Sequence, residues 1–164
     1  MTDDLITLHI FAEDYTAPLS WRLAQWCRQL NADEWTVNPI TVRGAGTFLF
    51  DYFDEIMTPY RRSRAARRHL SASRPEDLVR PTNLWQLSSA SLAALQEFLP
   101  NGLFTSRCSD EGWFEDPILY RNGESMLGIV SHEAEGILRV TYAERLELER
   151  EGFPLRAVGA YVGY

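Results

Sequence analysis

The chain has 164 residues, a formal net charge of −7, and 45% apolar and 12% aromatic residues. That composition excludes a disordered chain. A length of this order buries roughly 70% of the unfolded surface, so folding requires neither a metal nor a disulfide. The acidic balance argues against general affinity for nucleic acid or an anionic membrane.

One globular domain over residues 1–164 is expected. Met1-Thr2-Asp3-Asp4 lacks the basic start of a signal peptide, and no apolar run approaches the roughly 18 residues of a membrane span. With Cys27 and Cys108 as the whole cysteine complement, there is no disulfide framework or zinc set. The expectation is a cytoplasmic, reduced protein with no membrane partner and no cofactor.

In chain order, Leu5 to Phe11 alternates as a strand. Thr16 is a helix cap followed by Pro18, and Leu19, Leu23, Trp26, Cys27 and Leu30 repeat at helical spacing up to a stop at Asn31. Trp35 to Val42 reads as a strand, with Pro39 favouring a sheet edge or a bulge. After the Gly44-Ala45-Gly46 turn, Thr47 is placed to cap a helix bearing Leu49, Tyr52, Phe53 and Ile56. Thr58-Pro59 repeats the cap-plus-proline signal and predicts a separate helix over 59–70. Residues 71–83, rich in Ser, Pro and charge, read as a flexible loop with one short helix after Ser73.

Ser88 or Ser89 opens a helix with Leu92, Leu95, Phe98 and Leu99 on one face, closed by Pro100-Asn101-Gly102. The period then shifts towards two. Leu103–Cys108, Phe114–Arg121, Ser125–Ser131 and Ile137–Val140 are predicted strands, with Asn122-Gly123 as a type I′ turn. Thr141 and Glu144 have capping-box spacing for a charged helix that Gly152 and Pro154 stop, and Leu155–Val162 reads as a closing strand. The fold class expected is α+β: helices packed on one face of a mostly antiparallel sheet, ending in a β-meander.

All sixteen basic residues are arginine, a pattern assigned to coding bias. Position is therefore the signal. Residues 59–80 hold seven arginines against Glu76 and Asp77, +5, and the rest holds nine against twenty-one acids, −12. On a helix, Arg61, Arg64 and Arg68 share a face that could bind phosphates or a carboxylate-rich surface. A solvated face paired with the protein's own acids gives the same pattern.

The acidic counterpart is 109–151, where Asp110, Glu111, Glu115 and Asp116 surround Trp113 and Phe114. An exposed tryptophan among carboxylates would anchor a basic protein surface; the alternative is a core Trp113 with solvated acids. His132, within Ser131-His132-Glu133-Ala134-Glu135, is the histidine expected to be exposed, but neighbouring residues on one extended segment form no triad. No second histidine stands near for a metal site. Asp110 and Glu111 would raise a Cys108 thiol, which argues against a nucleophile there. Gly44-Ala45-Gly46 lacks the remaining residues of a phosphate loop.

No catalytic residue emerges. The functional expectation is a non-enzymatic bacterial protein-interaction module, an immunity- or antitoxin-like inhibitor or an accessory regulator. Its binding residues would come from Arg61, Arg64, Arg68, Trp113, Glu115, Asp116 and His132, with a protein partner or a second copy as the ligand. The competing expectation is an enzyme or binder that holds a phosphorylated or nucleic-acid ligand on the arginines.

Overall fold

The computed structural model describes residues 4–62, 67–68, 78–79, 83–104 and 110–157. Among the described residues, four α-helices and a largely antiparallel sheet are built in the order β1 (Leu5–Phe11), α1 (Ala17–Gln29), β2 (Glu34–Thr41), α2 (Phe48–Met57), β3 (Arg67–Arg68), β4 (Leu78–Val79), β5 (Trp85–Gln86), α3 (Ser89–Phe98), β6 (Gly112–Arg121), β7 (Glu124–Val130), β8 (Glu135–Thr141), α4 (Tyr142–Arg150) and β9 (Arg156–Ala157). The main sheet runs β5-β2-β6-β7-β8-β1-β9, antiparallel throughout, so the fold is α+β with β6, β7 and β8 as a meander. The short β3 pairs with β4 and touches β7 through one parallel pair, Arg68 with Glu124.

Local chemistry accounts for most boundaries. Thr16 accepts a hydrogen bond from Leu19 N–H at the start of α1, and Asn31 ends the turn with a positive φ of 71°. Asn122 and Gly123 both take positive φ, 54° and 76°, which the type I′ turn between β6 and β7 requires. Ser88 and Ser91 cap α3 reciprocally, and Thr141 and Glu144 do the same for α4. β2 bulges between Thr36 and Asn38, and only Glu34 and Trp35 pair with β5. Pro39 thus sits where its missing N–H costs no ladder bond on the β5 side.

One face of the sheet carries the core. Leu8 lies opposite Leu138, Leu138 opposite Leu127, Leu127 opposite Leu119 and Leu119 opposite Trp35, five apolar side chains in register across five strands. All are at most 1% exposed, and they form one cluster with Leu23 and Cys27 of α1, Phe53 and Met57 of α2, and Leu92 and Leu95 of α3. Tyr15 ties the ends together: its hydroxyl donates to the Pro154 carbonyl at 2.8 Å.

Three expected elements are corrected. Thr58–Tyr60 is a single 3-10 turn, not the start of a helix; Arg61 is extended (φ −61°, ψ 135°) and bridges to Trp85, and Arg67–Arg68 is a strand. The physical reason is burial. A helix there would offer only Tyr60, Ala65, Ala66 and Leu70 to a core, too little apolar surface to hold it. Leu78–Val79 is a strand within the segment expected to be a loop, and the helix expected after Ser73 lies outside the described residues. Leu103–Phe104 is a turn rather than the opening of a strand.

Candidate functional site

α2 has more apolar residues than one buried face can absorb. Of its ten residues, Phe48, Leu49, Phe50, Tyr52, Phe53, Ile56 and Met57 are apolar or aromatic. Phe53 and Met57 enter the core, while Leu49, Phe50 and Ile56 pack at its margin. Phe48 and Tyr52 remain outside, 75% and 40% exposed, with their rings stacked at 6.2 Å and only 2° apart in plane. The Tyr52 ring also packs at a tilt on Phe98 of α3, their centres 5.6 Å apart, which steadies the pair.

The rest of that outward face is acidic. Asp51 and Glu55 are exposed there, Asp54 is exposed on the flank towards β2, and α2 contains no basic residue. Asp51 accepts the Thr47 hydroxyl at 2.9 Å, and Asp54 lies 3.8 Å from the Arg61 guanidinium. Thr47 makes no side-chain bond to the helix N-terminus; the Leu49 N–H instead donates to the Glu111 carboxylate at 2.7 Å. A carboxylate there also meets the positive end of the helix dipole. Glu111 therefore anchors α2 to the start of β6.

The inner side of α2 forms a crevice with the outer half of β2. It encloses about 170 Å³, lined by Val37, Pro39, Thr41, Phe50, Phe53, Asp54, Asn83, Trp85 and Phe114. Phe53 stands edge-on to Trp85 at 5.3 Å, and Trp85 stacks on Trp35 at 4.7 Å.

The residues singled out by sequence are scattered over this frame. Arg61 is exposed beside Asp54, Arg68 belongs to β3, and Arg64 lies outside the described residues. Trp113 is half-buried and donates its indole N–H to Glu115 at 3.2 Å; Phe114 faces the core. Asp116 and Ser131 lock the meander: Asp116 N–H donates to the Ser131 hydroxyl, and Ser131 N–H to the Asp116 carboxylate. His132 projects from the adjacent 3-10 turn, 70% exposed, with Nε2 3.7 Å from Glu133. The structure thus unites Trp113 with Glu115, and Asp116 with the turn that carries His132. It does not gather Arg61, Trp113 and His132 into one site.

A larger cavity of about 500 Å³ lies between the β6–β7 turn and the start of α4. Its charges are already paired. Arg121 donates to Glu144 at 2.7 and 3.3 Å and to the Leu30 carbonyl at 3.0 Å, and Arg139 lies 3.9 Å from Glu124. Burial alone would raise the Glu144 carboxyl, but hydrogen bonds from Arg121 and Thr141 and the Arg121 charge hold it below the ordinary glutamate value. In the 3-10 turn region the opposite holds: burial, then the hydrogen bond and charge of Glu133, raise Glu135, with His9 opposing. Among the described residues, no group of three or more His, Cys, Asp and Glu is placed to hold a metal ion, and no helix is long and apolar enough to cross a membrane.

No family model, curated protein or solved structure matches this chain significantly.

Proposed function

We propose that the chain is a non-enzymatic interaction module that docks through the outer face of α2 onto a basic surface of a partner protein. The observation that carries this reading is the stacked, solvent-exposed pair Phe48 and Tyr52 beside the exposed carboxylates Asp51 and Glu55. Large aromatics are the side chains that most often dominate binding energy at interfaces, and burying them on a partner recovers apolar area that folding leaves in water. Carboxylates around them steer and orient a basic partner, and the net charge of −7 acts in the same direction. Such a module would act as an inhibitor of the immunity or antitoxin type, or as an accessory regulator.

The test is capture from native-host extract with wild-type protein and with the double variant Phe48→Ala/Tyr52→Ala. The expected result is a partner with a basic surface that is retained by the wild type, released by added salt, and absent with the double variant. Capture that is unchanged by the double variant contradicts the reading. Light scattering on the purified chain distinguishes a second copy as the occupant.

A further inference from the structure

We propose that the outer face of α2 receives an arginine side chain of the partner protein, its guanidinium lying over the Phe48 ring and pairing with Asp51 and Glu55. The inference rests on docking through that face and names the group that docks. It starts from helix spacing. Phe48 and Tyr52 are four residues apart, as are Asp51 and Glu55, and each carboxylate follows an aromatic by three. Side chains three and four apart are neighbours on a helix, so an aromatic row and an acidic row lie side by side. Phe48 is 75% exposed, and its ring is parallel to that of Tyr52 to within 2°, so aromatic surface faces solvent beside two carboxylates. Asp51 accepts the Thr47 hydroxyl, but among the described residues no basic side chain lies within ion-pair distance of Asp51 or Glu55; Arg61 pairs with Asp54 instead.

Elsewhere the same molecule shows what such a set of groups binds. Arg156 of β9 lies over the Phe11 ring, 4.5 Å from its centre, and donates to Asp14 at 2.7 Å and to Glu13 at 3.2 Å. One guanidinium there meets an aromatic face and two nearby carboxylates at once. α2 repeats the aromatic and the two carboxylates and lacks the arginine. The chemistry selects a guanidinium because it is planar. Its face is attracted to the ring, while its N–H donors point outwards in the plane, towards carboxylates at the side. A lysine ammonium is a compact, strongly hydrated charge that pairs with a carboxylate but gains less from the ring.

The experiment titrates the full chain with three blocked tripeptides, Gly-X-Gly with X as arginine, lysine or citrulline, at constant ionic strength. The readout is the Phe48 ring resonance, identified by its loss in Phe48→Leu. The expected result is a shift with arginine, an affinity about two- to fivefold weaker with lysine, the worth of one exposed cation–π contact, and weaker binding still with citrulline, which keeps the shape and loses the charge. Asp51→Asn/Glu55→Gln, both at exposed positions, should bring arginine down towards citrulline. Lysine or citrulline binding as tightly as arginine, or an arginine affinity unchanged in Asp51→Asn/Glu55→Gln, overturns the proposal. If Phe48→Ala/Tyr52→Ala still abolishes partner capture in that case, docking stands and only the arginine is removed. Capture that survives Phe48→Ala/Tyr52→Ala removes both, whatever the tripeptides do.

Discussion

Cys27 lies on the buried side of α1, and its thiol is pushed up to about 12, by burial first, with the Arg121 charge opposing and Glu144 adding. Such a thiol is a small apolar core group, not a nucleophile. In a Cys108→Ser background, a maleimide at mildly alkaline pH should leave Cys27 unmodified until denaturant is added; rapid native-state labelling would show that α1 opens. Glu144 carries the opposite burden. Its folded pKa is depressed, so its contribution to stability is complete above the ordinary glutamate pKa of about 4.3 and is lost as pH falls through the folded value. Glu144→Gln removes the bidentate partner of Arg121 and weakens the α4 capping box. It should cost about 2–4 kcal/mol at neutral pH in urea unfolding, and the deficit should shrink in acid.

At the scale of elements, turn and cap chemistry made much of the fold legible. Thr16 with Pro18, Asn122 with Gly123, and Thr141 with Glu144 act locally, so the residues that announce each boundary are the residues that form it. What stayed hidden depends on distant partners. Thr47 has the right identity for a cap, yet Glu111, 62 residues away, accepts from the first turn of α2. Arg61, Arg67 and Arg68 carry helix-compatible side chains, but β-pairing with Trp85, Leu78, Val79 and Glu124 decides their backbone. Gly112 shows why α2 sits where it does. Its φ is 146°, and an added Cβ would fall on the Ile40 carbonyl oxygen and lie 2.6 Å from Phe50 Cζ. Gly112→Ala should therefore destabilise the fold by at least about 2 kcal/mol, measurable by thermal or chemical unfolding. A change near zero would mean that Phe50 and β2 move aside freely.

For the whole molecule, charge asymmetry was readable from composition, but the apolar anchor within it was not. Sequence pointed to Trp113 because carboxylates flank it; in the structure its indole is engaged by Glu115, and the neighbouring Glu111 serves as a helix cap. The available signal was the excess of apolar residues in α2, seven in ten, which no single helix face can bury. Periodicity placed Tyr52 on the core side, and only the packing of Phe98 and Phe53 shows that it lies at the rim with Phe48 outside. Because Phe48 is 75% exposed, truncating it alone should leave unfolding within about 1 kcal/mol of wild type, while truncating Tyr52, 40% exposed and packed on Phe98, should cost about 1–2 kcal/mol. The most direct measurement is the affinity of the captured partner for wild type and for Phe48→Ala/Tyr52→Ala, by calorimetry at low and high salt. Loss of about 2–4 kcal/mol of binding in the double variant, with wild-type affinity falling as salt rises, is the predicted result. Equal affinities for two equally folded proteins would contradict it.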